Sequence, residues 1–260
     1  MFVACLMAGV GSRLMPKTRK VHKAMLRVGG VRIVDIQMAT FSRAGFGQFS
    51  FVLGHCAATL ASHLLQRYAR YDICVLNNNY FDRRNLDWSA YLALTSRPGD
   101  VLYYEGDLVV APSILRRLAS HPSDVCVVAD ARVQSTKVDT VVLASSDRVR
   151  RIVFSEHGEI RMAAQSCRGE FLPLVKLSDS ARKYVAKRLG RKSYRGRMLL
   201  YDIFNELFDN CSATVIDTDG QAWVEIDNPA DLRRACKFAS QLNRVNSGLT
   251  TTQPSDRSSG

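Results

Sequence analysis

Short apolar runs alternate along the first half of the chain with stretches whose apolar residues have helical spacing. The apolar runs predict strands over residues 2–7, 49–53, 72–76, 101–104 and 124–129. The stretches between them predict helices over residues 33–41, 57–69 and 86–95, and another that begins at Pro112. This alternation is typical of βαβ units. We therefore predict an α/β fold with a Rossmann-like, mostly parallel sheet flanked by helices.

The pattern changes after residue 130. Residues 138–143 and 149–154 alternate like antiparallel strands around a polar turn, and a third short strand is expected after Gly158. We predict that these strands form a small antiparallel β lid within residues 132–200, laid across the parallel sheet. Helices over 178–189 and 198–208, strands over 213–216 and 223–227, and a last helix from Pro229 complete the predicted domain, residues 1–242. The Ser/Thr-rich residues 243–260 are expected to be a disordered tail.

Composition excludes several classes of protein. The chain has 260 residues, of which 47% are hydrophobic and 23% charged, enough to bury one large core. The longest apolar runs are shorter than about ten residues, whereas a membrane span needs about 20, so no membrane partner is expected. The apolar N-terminus lacks a basic region and reads as a strand, not a signal peptide, so the cytoplasm is the expected location. Seven cysteines are scattered without a C-x-x-C pair, which favours structural thiols over metal ligands or disulfides.

The net charge of +12 is concentrated in one segment. Residues 181–200 contain eight basic residues and no acidic one, and such a block attracts polyanions. Two interpretations remain open, a solvated basic helix face and a nucleic-acid-binding surface. Since no helix-turn-helix, zinc-finger or RNP pattern is present, nucleic acid is not the expected partner.

A glycine loop directly follows the first predicted strand, where residues 6–14 read LMAGVGSRL. Gly9 and Gly11 allow the backbone to approach a ligand and direct N–H groups at phosphate oxygens. The loop is neither a dinucleotide fingerprint, since Leu14 occupies the third glycine position, nor a P-loop. Cationic side chains that suit a triphosphate follow at short range: Arg13, Lys17, Lys20 and Lys23.

Two aspartates stand at predicted strand ends. Asp107 ends a central strand, where ligands of open α/β sheets bind. Asp227 follows the strand-like residues 223–226 and precedes Asn228-Pro229, so it also suits a helix N-cap. Because Mg²⁺ takes one or two carboxylates together with phosphate oxygens and water, Asp107 and Asp227 are a sufficient pair for a nucleotide-bound Mg²⁺.

With these features the sequence resembles the small-molecule nucleotidyltransferase superfamily, which opens with L-A-A-G-x-G-[ST]-R-L-x-P-x-T and continues with P-K-x-L-x-x-V-x-G. Residues 6–18 here read LMAGVGSRLMPKT, and residues 22–30 read HKAMLRVGG. A late W-x-E-I-D-x-P-x-D-L motif is present as WVEIDNPADL over residues 223–232. The resemblance covers residues 1–240 and places its two magnesium aspartates at Asp107 and Asp227.

The sequence is most similar to the phosphocholine and phosphonate cytidylyltransferase branch, whose T-N-N-x-x-S-x-x-x-A segment has a partial counterpart in residues 84–93. Arg84 and Leu86 depart from that segment, and His22 stands in place of a proline before Lys23. We expect His22 to be a surface histidine, with a phosphate donor as the alternative.

The resemblance implies attack by a phosphate or phosphonate oxygen on the α-phosphorus of CTP, with CMP transfer and release of pyrophosphate. Arg13 and Lys23 would be the catalytic cations, and Asp107 and Asp227 the Mg²⁺ ligands. The implied nucleotide-binding set is Leu6, Ala8, Gly9, Gly11, Ser12, Arg13, Lys23, Asn78, Asn85 and Asp107. The partners are CTP and a small phosphonate- or phosphate-bearing acceptor, with the chain a monomer or homodimer.

Two other functions remain open at this stage. A sugar-1-phosphate nucleotidyltransferase using UTP, GTP or dTTP would differ only in its base and acceptor pockets. A non-catalytic nucleic-acid-binding module on the same fold would bind RNA with steep salt dependence and without turnover.

Overall fold

The chain forms a central sheet covered on both faces by helices. The computed structural model describes residues 1–82, 86–132, 140–155, 166–191 and 200–237. The strands are β1 (Phe2–Met7), β2 (Arg27–Val28), β3 (Val31–Arg32), β4 (Gln48–Leu53), β5 (Asp72–Asn77), β6 (Val101–Glu105), β7 (Leu108–Val110), β8 (Val125–Asp130), β9 (Thr140–Ser145), β10 (Arg148–Phe154), β11 (Cys167–Leu177), β12 (Ala213–Asp217) and β13 (Trp223–Glu225). The helices are α1 (Ile33–Arg43), α2 (Ala57–Arg67), α3 (Leu86–Thr95), α4 (Pro112–Ser120), α5 (Asp179–Gly190), α6 (Leu200–Phe208) and α7, described over residues 229–237. The predicted α/β class is confirmed.

The main sheet is mixed, not mostly parallel. Its order in the described residues is β5-β4-β1-β6-β11-β8-β12-β10-β9. Neighbours from β5 to β6 are parallel, as predicted. Strand β11 runs antiparallel to both β6 and β8, and β10 runs antiparallel to both β12 and β9. The second half keeps one parallel pair in the described residues, β8 with β12. The prediction of a mostly parallel sheet does not hold for its other pairs, because the apolar run 171–177, which received no strand in the prediction, runs antiparallel between β6 and β8.

The strands predicted to form the lid belong to the main sheet in the described residues. β9 and β10 are antiparallel, as expected, but β10 pairs with β12 and β9 pairs with the first part of β11. These strands extend the sheet, and a lid laid across it is not confirmed. The expected strand after Gly158 and the tail 243–260 lie outside the described residues.

Strand alternation divides the core between the two faces of the sheet. In β1, Phe2, Ala4 and Leu6 join the cluster packed against α3, α5 and α6. The intervening Val3, Cys5 and Met7 join the cluster packed against α1, α2 and α4. Because β1 is buried on both faces, its carboxyl end is held firmly where the glycine loop begins. None of the described helices has the length and apolar character needed to span a membrane.

Candidate active site

The glycine loop leaves β1 at its carboxyl end and folds back through a short 3-10 turn, Ser12–Leu14. Gly11 precedes this turn with φ 65°, and a Cβ there would lie 3.3 Å from the Thr18 side chain. Thr18 Oγ1 donates a 2.8 Å hydrogen bond to the carbonyl oxygen of Gly11. A Cβ on Gly9 would meet nothing within 4 Å, so the backbone at this position faces open space. Gly11 therefore shapes the loop, and Gly9 leaves room beside it.

A two-stranded ribbon brings Asp107 and Asp227 together. β7 pairs antiparallel with β13, with Leu108 opposite Glu225. The next residue, Ile226, donates its N–H to the carbonyl oxygen of Asp107 at 2.9 Å. The prediction placed both aspartates at strand ends but did not include β7, whose three residues are too short for a periodic signal.

The segment that carries Asp107 is fixed from two sides. Gln37, buried in α1, donates hydrogen bonds of 2.9 and 2.8 Å to the carbonyl oxygens of Gly106 and Leu108. A Cβ on Gly106 would lie 2.4 Å from Met7 Cγ, so only glycine fits between this segment and β1. The backbone on both sides of Asp107 is therefore held in one conformation.

Lys23 bridges the two aspartates. Its Nζ lies 3.2 Å from Asp107 Oδ2 and 2.9 Å from Asp227 Oδ1. Arg13 Nη2 lies 2.9 Å from the other oxygen of Asp227. Burial disfavours the charge of Lys23, but Asp107 and Asp227 outweigh it and raise the pKa of the ammonium group. Two cations and two carboxylates thus meet beside the glycine loop.

Asp227 does not cap α7. Asn228 Oδ1 accepts hydrogen bonds from the backbone N–H groups of Ala230 and Asp231. Asp231 in turn accepts from the N–H groups of Asp227 and Asn228. Because these neighbours satisfy the helix terminus, the Asp227 carboxylate is directed to Lys23 and Arg13, and the N-cap alternative is wrong.

The aspartate pair fits a divalent cation with oxygen ligands. Asp107 Oδ1 is buried and accepts no hydrogen bond from the residues that the structure describes, an arrangement that is costly unless another group binds there. The described residues contain no group of three or more His, Cys, Asp or Glu side chains suited to hold a metal by themselves. Two carboxylates completed by phosphate oxygens and water match the usual environment of Mg²⁺.

Two further carboxyl groups, which the sequence reasoning missed, lie beside the aspartates. Glu105 accepts hydrogen bonds from the hydroxyls of Tyr103 at 2.8 Å and Tyr201 at 3.2 Å. Burial and then the charge of Asp107 raise the pKa of Glu105 to about 8. The pKa of Glu225 is also raised well above its usual value, first by burial and then by the negative charges of Asp107 and Asp227. The available signal was the repeated E-x-D spacing, which places Glu and Asp on the same side of an extended chain.

One open cleft collects most of the predicted site residues. It is lined by Leu6, Gly9, Gly11, Ser12, Arg13, Lys23, Asp107 and Asp227, together with Met7, His22 and Gly106, which were not in the predicted set. Ala8 is buried beside the cleft, and its carbonyl oxygen accepts the N–H of His55. Asn85 and Arg84 lie outside the described residues.

Asn78 occupies a structural position. Its side chain is 1% exposed, donates to Ser89 Oγ at 2.9 Å and accepts the N–H of Tyr80. These bonds use its amide to shape the turn after β5. Asn78 does not line the cleft in this structure.

Much of the basic segment is paired within the protein. Buried Arg182 donates to the carbonyl oxygens of Leu94 and Gly99 and pairs with Asp179. Lys183 also pairs with Asp179, and Arg188 pairs with Glu206. These three cations therefore have structural partners. Lys192, Arg195 and Arg197 lie outside the described residues.

Comparisons with known proteins show which families the chain resembles. The nucleotidyl transferase family model matches residues 4–87. The chain is 29% identical over 247 residues to the CMP-5'-(3-aminopropyl)phosphonate synthase of Streptomyces rubellomurinus, a match covering 88% of this chain but 37% of that protein. It is 23% identical over 252 residues to the CTP:phosphoglutamine cytidylyltransferase of Campylobacter jejuni, covering 87% of this chain and 96% of that protein.

The fold is also shared with a solved structure, the inositol-1-phosphate CTP transferase from T. maritima. The TM-score is 0.75 at 20% sequence identity, and the match covers 93% of this chain and 96% of that chain. The chain is therefore similar to nucleotidyltransferases, as its sequence predicted.

Proposed function

We propose that the protein is a Mg²⁺-dependent cytidylyltransferase that transfers CMP from CTP to a small phosphonate or phosphate acceptor and releases pyrophosphate. The observation that carries this proposal is the meeting of Asp107 and Asp227 with Lys23 and Arg13 beside the glycine loop. Two carboxylates for a divalent cation and two side-chain cations for phosphate oxygens are the groups this reaction needs.

The acceptor oxygen is already anionic near neutral pH, so the reaction needs no general base. The obstacle is repulsion between the acceptor and the triphosphate, and the remedy is alignment with positive charge at the reacting phosphorus. Lys23 is largely buried and lies beside the glycine loop, within reach of both the carboxylates and the space for the phosphates. Arg13 is 65% exposed, so its guanidinium is free to move onto the triphosphate as it enters.

Asp107 and Asp227 would hold the Mg²⁺, and within the described residues Asp107 Oδ1 has no hydrogen-bond partner. A bound Mg²⁺ would neutralise phosphate charge and polarise the α-phosphoryl group. Lys23, which bridges the two carboxylates here, would bind phosphate oxygens in their place, and the backbone at Gly9 leaves space for the phosphates.

CTP is the preferred donor in this proposal because CMP or CTP stands in the names of both relatives. A phosphonate or phosphate acceptor is likewise supported by those names. The alternative of a sugar-1-phosphate nucleotidyltransferase shares the cation and phosphate geometry, so only nucleotide and acceptor preference separates the two.

The test is a pyrophosphate-release screen of CTP, UTP, GTP and dTTP against phosphonates, phosphocholine, phosphoethanolamine and sugar phosphates, with Mg²⁺ or EDTA. We expect turnover with CTP, a phosphonate or phosphate acceptor and Mg²⁺. Asp107→Asn and Asp227→Asn should each lower kcat/KM by at least about 100-fold. Asp209→Asn, at an exposed position away from the cleft, is the matched control and should retain activity.

A preference for UTP, GTP or dTTP with a sugar phosphate would replace the proposal by the sugar-1-phosphate alternative. RNA binding that weakens steeply with salt, without turnover on any substrate, would support the nucleic-acid-binding module instead. The internal pairing of Arg182, Lys183 and Arg188 argues against that last outcome.

A further inference from the structure

His22 is buried in the wall of the cleft, next to Lys23. Its side chain is 3% exposed, which corrects the expectation of a surface histidine. One ring nitrogen, Nε2, lies 2.7 Å from the carbonyl oxygen of Met7, the last residue of β1. The other, Nδ1, accepts the backbone N–H of Ala24 at 3.0 Å.

Only one form of the imidazole satisfies both contacts. Because Ala24 contributes a backbone N–H, Nδ1 must accept, and Nε2 must carry the proton that it donates to Met7. Burial lowers the pKa of His22 to about 4, in agreement with a neutral ring. With both nitrogens engaged inside the protein, His22 has no donor left for a phosphate, and that alternative is wrong.

The two bonds connect the end of β1 to the turn that carries Lys23. His22 is the N-cap of the 3-10 turn Lys23–Met25, and its bond to Ala24 fixes the start of that turn. Its bond to Met7 fixes the same turn against the strand that leads into the glycine loop. From this start, Lys23 passes 3.4 Å from the Cβ position of Gly11 and reaches both aspartates.

The backbone of His22 has the conformation that proline imposes. Its φ is −59° and its ψ is 139°, and proline holds φ near −65°. Its backbone N–H makes no hydrogen bond to the protein in the described part of the chain, so a proline would sacrifice no bond there. This is also the position at which the sequence departs from the proline of the resembling family.

We propose that His22 is a positioning residue for Lys23, whose imidazole holds through two hydrogen bonds the backbone conformation that a proline ring would fix at the same position. The effect of His22 on catalysis rests on the proposed function, since Lys23 is a catalytic cation only in that reaction. The effect of His22 on the position of the Lys23 ammonium group is independent of the proposed function.

Two variants separate the contribution of the two hydrogen bonds from that of the backbone conformation at residue 22. His22→Phe keeps the volume of the ring and removes both hydrogen bonds. His22→Pro removes the same bonds but fixes φ near its present value. We expect His22→Phe to lower kcat about tenfold with less than about a threefold change in KM for CTP, and His22→Pro to stay within about threefold of the wild type in both.

A second readout does not depend on turnover. Acetylation of lysines by an N-hydroxysuccinimide ester, followed by peptide mass spectrometry, compares Lys23 with exposed Lys20 on the same loop. We expect Lys23 to react about tenfold faster relative to Lys20 in His22→Phe, and at nearly the wild-type rate in His22→Pro. Should His22→Phe fail to fold, His22→Asn takes its place, because asparagine is too short to reach Met7.

Wild-type reactivity of Lys23 in the Phe or Asn variant would overturn the proposal, as would a Pro variant as reactive as the Phe variant. If the wild type releases no pyrophosphate with any nucleotide, the proposed function fails, and the acetylation pattern alone decides the role of His22.

Discussion

Lys23 lies between the two carboxylates, where a divalent cation would also bind. Removing the charge of Lys23 should therefore leave the carboxylates to be neutralised by Mg²⁺. We consider Lys23→Met, which keeps the length of the side chain and removes its charge. Without Mg²⁺ this variant leaves Asp107 and Asp227 facing each other, with Arg13 paired to Asp227.

The size of the effect follows from burial and distance. The Lys23 side chain is 12% exposed, and those of Asp107 and Asp227 are 25% and 21% exposed. Removing one partner of a fully buried ion pair costs about 3–5 kcal/mol, and partial exposure reduces this to about 2–4 kcal/mol. Mg²⁺ that binds the variant with a Kd of about 1 mM would return about 1.4 kcal/mol at 10 mM. In the wild type, where Lys23 competes, a tenfold weaker Kd would return only about 0.4 kcal/mol.

Urea unfolding with and without 10 mM MgCl₂, at matched ionic strength, measures these terms. Lys20→Met, at an exposed position on the same loop, is the control and should change the unfolding free energy by less than about 0.5 kcal/mol. Adding Asp107→Asn to Lys23→Met should remove the extra stabilisation by Mg²⁺. Equal stabilisation of the wild type and Lys23→Met by Mg²⁺ would refute the reasoning, because Lys23 and the cation would then not share a site.

Three further predictions concern the supports of the site. Gly9→Ala should melt like the wild type but raise KM for CTP about tenfold, because its Cβ would enter the space beside the loop. Gly106→Ala should lower the melting temperature, because a Cβ at this position would collide with β1. Gln37→Met removes both hydrogen bonds that hold the backbone beside Asp107, so it should lower the affinity for Mn²⁺ about tenfold, as measured by electron paramagnetic resonance. An unchanged affinity would contradict a role of Gln37 in positioning Asp107. The pKa of His22 is about 4 in the folded state and about 6.5 in the unfolded state, so between these pH values the folded state binds fewer protons. Stability should therefore decrease by about 3 kcal/mol as the pH is lowered from 6.5 to 4, and His22→Phe should lack this loss in urea unfolding.

Local pattern was sufficient for most elements of the fold. β1, α3 and α4 were predicted within a residue or two, because each has a strong apolar period and clear turn residues at its ends. Asp107 and Asp227 were found for the same reason, since each follows a recognisable strand. What local pattern could not supply was the partner and direction of each strand, which are set by contacts between residues distant in the chain.

The strand pairings that the sequence did not predict depend on contacts between residues distant in the chain. β11 is apolar throughout and carries no mark of running antiparallel between β6 and β8. β7 has three residues, yet its pairing with β13 is what joins the two aspartates. Asn78 shows another limit of local pattern, because an amide that suits a nucleobase equally suits a buried turn, and the sequence alone does not show its bonds to Ser89 and Tyr80.

The charges of the site couple the cation to the nucleotide. Lys23 and Arg13 carry two positive charges, and they are paired with the two negative charges of Asp107 and Asp227. A divalent cation alone must displace Lys23 from the carboxylates, and a triphosphate alone must approach those carboxylates without the cation. When both enter together, the carboxylates gain the cation and the released side chains gain phosphate oxygens, so each ligand removes part of the electrostatic cost of binding the other. Because such coupling is reciprocal, each ligand should strengthen the binding of the other by the same factor, and the competition between Lys23 and Mg²⁺ is the part of that coupling that resides in the protein itself.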